Sequence, residues 1–176
     1  MPTFQQALDA NPAQLMSLGA AIAAAAGKVT TLGAQHAGEV AGMGASWQGD
    51  DYQEMVRWGG DVAGFIGRSD AALVVCAGAL ESMGATMMAT VTALKATKQS
   101  AEAIGYRVLP TPMVILGPSQ WSQVSSAGPA APAVLAAYQS GAVAFTAALA
   151  SMYAALIAQD TAAYGIIRTA IGLSPS

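Results

Sequence analysis

Ser46-Trp47-Gln48-Gly49-Asp50 separates two long apolar patterns, and its reading decides the fold. Before it, apolar positions recur at Leu15, Leu18, Ile22, Ala25, Val29, Leu32, His36, Val40, Met43 and Trp47. After it they recur at Val62, Ile66, Ser69, Leu73, Cys76, Leu80, Met83, Met87, Val91 and Leu94. Both runs step by alternating threes and fours, the period of a helix laid along a partner helix. A tryptophan and a glycine between such stripes predict a tight helix-turn-helix hairpin. Gly49 lets the chain reverse without a Cβ clash, and the Trp47 indole is expected to plug the hairpin's open end.

The composition narrows the class further. Helix formers dominate and alternating β-branched runs are nearly absent, so the expected fold is all-α. Only 10% of the 176 residues are charged, against roughly 25% in an ordinary soluble domain. Residues 1–104 hold most of the charge; beyond them only Arg107, Asp160 and Arg168 remain. A net charge of −3 with scattered Lys and Arg offers no basic surface, so nucleic acid is disfavoured as a partner. A mean hydropathy of +0.45 requires the chain to hide its surface, fold onto a partner or enter a membrane.

Asn11-Pro12 is a good helix start, with Asn as the N-cap and Pro in the first turn. A first helix is expected over 12–45, after a lead-in with room for one short helical turn. Asp50 and Asp51 suit the positive end of a second helix over 50–103. At 1.5 Å per residue these would be about 50 and 80 Å long, so an elongated bundle is expected. Prolines and glycines break the chain over 105–131, where Leu109, Met113, Val114, Ile115 and Leu116 form an apolar loop at the tip. That tip either binds a partner or folds back on the bundle. A short helix is expected around Trp121, over 119–126. A last helix over 132–172 carries a seam at Leu135, Tyr138, Ala142, Phe145, Leu149, Met152 and Leu156, drifting through Asp160, Tyr164, Ile167 and Ile171. The whole reads as one helical domain, residues 1–176. Leu73, Leu80, Met83 and Met87 are the candidates for bundle and partner packing.

No constellation points to catalysis. The single histidine, His36, lies on the first stripe without metal-ligand neighbours and reads as a satisfied seam residue. Without a free base no serine nucleophile is plausible, and no phosphate loop or dinucleotide fingerprint occurs. Neither a metal nor a cofactor is expected. Cys76, the lone cysteine, falls on the second stripe as a small buried hydrophobe. The opening Met1-Pro2-Thr3-Phe4-Gln5-Gln6 lacks the pattern of a general secretory signal peptide. Residues 133–158 contain no charge and are long enough to cross a bilayer. Their abundance of Ala, Gly, Ser and Thr, with large side chains on one stripe, reads instead as a packed bundle helix.

The turn and its flanking helices resemble the Trp-X-Gly superfamily of type VII secretion substrates. In length and layout the chain is similar to the PPE domain of mycobacteria and other actinobacteria. Val108-Leu109-Pro110-Thr111-Pro112-Met113-Val114-Ile115 is similar to that family's proline-bearing tip, and Ala158-Gln159-Asp160-Thr161-Ala162-Ala163-Tyr164-Gly165 to a late stretch of its last helix. The Pro-Pro-Glu signature is missing. So is a Tyr-x-x-x-Asp/Glu signal, since Val56, Pro110, Ala142, Ile157 and Arg168 stand four residues after the tyrosines.

The resemblance implies a non-enzymatic substrate in which Trp47 and Gly49 form part of an export mark. Its implied partners are a small PE-like or Trp-X-Gly hairpin protein, a cytosolic secretion chaperone gripping the tip, and the secretion ATPase. The implied location is the cell envelope or the medium. Two rivals come from other classes: a membrane-inserting oligomer built on 133–158, and a self-assembling structural homo-oligomer.

Overall fold

The computed structural model describes residues 2–170 and 172. The described chain is all-α apart from one small β-hairpin. In order it runs α1 (Phe4–Asp9), α2 (Ala13–Met43), α3 (Asp50–Ala103), β1 (Tyr106–Val108), β2 (Val114–Leu116), α4 (Pro118–Ser126), a 3₁₀ turn (Gly128–Ala130) and α5 (Ala131–Ala170). It divides into two compact units: Gln14–Gly84 with Ala163–Ser176, and Met1–Ala13 with Ala85–Ala162.

In the first unit α2 and the start of α3 form an antiparallel hairpin. Val40 packs on Gly59, Ile66 on Gly33 and Glu81 on Gly19, so partners fall along α2 as they rise along α3. Thr30 Oγ1 donates to Asp70 Oδ1 at 3.0 Å on the same seam. The small residues are required by contact: a Cβ on Gly33 would stand 2.9 Å from Ile66 Cγ2. Along α3 the expected stripe is inward throughout, with Cys76 and Leu80 buried here. Along α2 it splits. Leu15, Ile22, Val29, His36 and Val40 are half-buried, whereas Leu18, Ala25 and Leu32 are exposed. A two-helix contact is narrow enough to cover one row of a heptad seam and leave the other bare.

In the second unit the end of α3 packs antiparallel to α5. Thr90 meets Gln159 through a hydrogen bond of 3.1 Å, and Thr97 Oγ1 approaches Met152 Sδ at 3.8 Å. Leu94 and Leu149 are fully buried between them, with Val91 and Leu156 beside them. Thr3 caps α1 in a reciprocal box with Gln6, and Phe4 meets the Tyr153 ring edge-on at 5.8 Å. The Tyr153 hydroxyl also donates to the Pro2 carbonyl, which ties the N-terminal segment to α5.

The expected seam of α5 holds through Leu156 and then changes row. Asp160 and Tyr164 are exposed and Gln159 and Ala163 are inward in their place, while Ile167 is half-buried as the seam predicts. A straight helix drifts by about 20° per heptad against a 3.5-residue pattern, so the row is handed to the neighbouring positions. Ile171 lies outside the described residues.

Candidate functional site

The hairpin turn is assembled from the backbone outward. Trp47 N–H donates to Met43 O at 2.9 Å as α2 ends, and Gln53 N–H donates to Gly49 O at 3.1 Å as α3 begins. Gly49 adopts φ +112°, a conformation that disfavours any residue with a Cβ. Asp50 and Asp51 occupy the first turn of α3, where the helix dipole favours negative charge.

The Trp47 indole does not plug the hairpin. It is 45% exposed. Tyr52 does the closing, its ring lying over Gly44 so that a Cβ there would stand 2.8 Å from Cζ. Within the first turn of α3, the Tyr52 ring reaches back to Gly44, whereas the Trp47 side chain is exposed. The turn thus presents a large aromatic face to solvent beside two carboxylates.

His36 lies half-buried on the seam as expected, but it is not satisfied there. Its Nε2 is buried with no hydrogen-bond partner among the described residues. The imidazole instead meets the edge of Trp58, with ring centroids 6.0 Å apart and an interplanar angle of 83°. Trp58 is itself 59% exposed. Sequence reading missed it because it falls off the inward stripe. No group of His, Cys, Asp and Glu able to hold a metal occurs among the described residues.

The packing candidates occupy the protein's own interior. Leu80 and Met87 are buried, and Leu73 and Met83 half-buried. One surface open to another protein is a different one: the outward row Leu18, Ala25 and Leu32 of α2. A helical wheel with a single partner helix would have flagged it, since the stripe is wider than one contact.

The tip is more ordered than a loop. Tyr106, Arg107 and Val108 pair antiparallel with Leu116, Ile115 and Val114. Pro110 and Pro112 mark the turn, and the β-branched Val108, Val114 and Ile115 supply the strands. Val114 N–H donates to Thr146 Oγ1 at 2.9 Å, and Tyr106 Oη donates to the Tyr138 carbonyl at 2.9 Å, fastening the hairpin to α5. Gln120 is 1% exposed and holds the hairpin's base. Its Oε1 accepts from Gly117 N–H at 3.0 Å, and its Nε2 donates to Ile104 O at 3.1 Å.

Of the tip candidates, Val114 faces inward and Leu109 and Leu116 are half-buried, while Met113 and Ile115 are exposed. Ile115, Leu116, Trp121 and Val143 border an open groove of about 570 Å³, with Gln139 as its one polar side chain. The groove is suited to an apolar side chain of another molecule and carries no charged group.

By length and composition, three helical segments are apolar enough to cross a membrane: Ala13–Met43, Asp50–Ala103 and Gly128–Ala170. Comparison with known proteins returns no match, whether to a family model, a curated protein or a solved structure.

Proposed function

We propose that this chain is a non-enzymatic substrate of a type VII secretion system, exported together with a helical-hairpin protein. The observation that carries the reading is the Trp47–Gly49 turn, an exposed indole beside a glycine at φ +112° joining two antiparallel helices. An exposed indole on a helix reversal is a feature another protein can read. The bare row Leu18, Ala25 and Leu32 supports a hairpin partner, because one more pair of helices would cover it and complete a four-helix bundle. The groove at Ile115, Trp121 and Val143 supports a chaperone contact before export. In this reading the protein acts at the cell envelope or in the medium.

The test is fractionation of native cells with and without a working secretion ATPase. Appearance in the medium only when the ATPase works supports the reading; retention in detergent-extracted membranes in both strains overturns it.

A second reading has its own observation. The charge-free 133–158 stretch lies within the most apolar of the three segments, most of whose residues are not buried. A helix so apolar and so little covered suits a protein that enters a bilayer and oligomerises there. Carbonate extraction separates the two, since an inserted helix stays with the lipid.

A further inference from the structure

The outward face of α3 in the hairpin unit carries small and apolar residues and is uncovered among the described residues. Val74 is 56% exposed and Val75 52%. Gly60, Gly67 and Gly78 have no atom within 4 Å of where a Cβ would stand, and Gly64 meets only Arg68 Nη1 at 3.5 Å. The contrast with Gly33 and Gly59, which are pressed against Ile66 and Val40, is informative. Those glycines admit a neighbour within the chain; the outer ones weaken the helix and admit none. They leave room for a second helix to come close.

The charges on this face determine which helix fits. Asp61 and Arg68 have neither ion pair nor hydrogen bond among the described residues. At 100° per residue they lie within about 20° of each other around α3, on one flank of the glycine row, two turns apart and of opposite sign. When two identical helices pack antiparallel, each flank faces the same flank of its mate. Arg68 then stands opposite Asp61 of the second copy, and Asp61 opposite its Arg68. A parallel pairing would set this flank against the other one, leaving Asp61 without a cation. The face is self-complementary in one orientation only.

We propose that α3 of one copy packs antiparallel on α3 of a second copy, about a two-fold axis beside Gly64, with two reciprocal Asp61–Arg68 ion pairs. An isologous pair of this kind closes on itself and stops at a dimer. The inference does not rest on the secretion reading, which uses the α2 row and the turn.

Sedimentation equilibrium on the purified full chain tests it without any secretion step. The expected mass is twice 17.6 kDa. Asp61→Arg and Arg68→Asp should each weaken the dimer by about tenfold or more, since each places two like-charged pairs in the interface. The double exchange D61R/R68D should restore affinity to within about threefold, because it rebuilds both pairs with their signs reversed. Circular dichroism checks that helicity is unchanged in all three. In a Cys76→Ala background, Gly64→Cys should give a disulfide-linked dimer on oxidation, whereas Gly38→Cys on α2 should not. A monomer at every concentration, a polydisperse series, reversals that leave affinity unchanged, or a double exchange that fails to rescue would each overturn the proposal.

Discussion

The hydroxyl of Tyr106, at the start of the tip hairpin, donates to the backbone carbonyl of Tyr138 on α5 at 2.9 Å. The ring is 7% exposed and also meets Tyr138 and Phe145, at 6.5 and 5.7 Å between centroids. One side chain therefore fastens the tip by packing and by a directed bond.

The burial of this phenol makes stability fall at high pH. Burial first, and the nearby Tyr138 second, raise the Tyr106 phenol above its ordinary value. A raised acid is favoured in its neutral form by the fold. Its contribution is complete below the unfolded value, about 10, and is lost as pH rises through the folded one. Tyr106→Phe should cost about 1 kcal/mol at neutral pH. The gap between variant and parent should narrow in urea titrations above about pH 10. A gap independent of pH would show that the hydroxyl proton contributes nothing.

Gln120 gives a sharper loss. Its amide accepts from Gly117 in a buried bond and donates to Ile104 in a part-buried one. Gln120→Leu keeps much of the volume but strands the buried Gly117 N–H, at about 1–3 kcal/mol, and also loses the part-buried bond to Ile104, at about 1 kcal/mol. Denaturation should report the sum as a loss of several kcal/mol, and hydrogen exchange should report a faster Gly117 amide. A neutral result would mean that backbone movement re-pairs both groups.

The glycines of α2 divide by what lies beside them. Gly33→Ala would push a methyl to 2.9 Å from Ile66 Cγ2 and should destabilise the hairpin. Gly38→Ala meets nothing within 4 Å and should stabilise by about 1 kcal/mol through helix propensity. Thermal denaturation of the two variants tests this, and equal shifts of the same sign would refute it.

The same local reasoning explains what the sequence made legible. On α3 the apolar row from Val62 to Leu94 faces inward along its whole length, so its periodicity leads directly to the hairpin and the return helix. On α2 the identical period misleads, because a row such as Leu18 and Leu32 looks the same whether or not a second helix covers it. The β-hairpin was hidden behind Pro110 and Pro112, which signal a turn but not the strands flanking it. Gln120 was invisible for a different reason. A polar residue carries no hydropathy signal, and its burial depends on the chain reversing at Gly105, where φ is +94°. Trp47 was misplaced because pattern alone does not distinguish an indole that closes a gap from one beside it.

The outward row of α2 carries the last prediction. Leu18 is 51% exposed and Leu32 61%, so neither contributes much to the free chain's core. Leu18→Asp with Leu32→Asp should therefore change the unfolding free energy by less than about 1 kcal/mol, the usual scale for surface substitutions. Burying two unpaired carboxylates against a partner hairpin is another matter, costing several kcal/mol. If a helical partner covers this row, co-purification with it should fail while α3-mediated self-association persists. Trp47→Ala provides the complementary control, expected to stop export while leaving helicity and partner capture largely intact. Unimpaired capture by the double aspartate variant would remove α2 from the interface and leave the turn as the sole element of the proposed export mark.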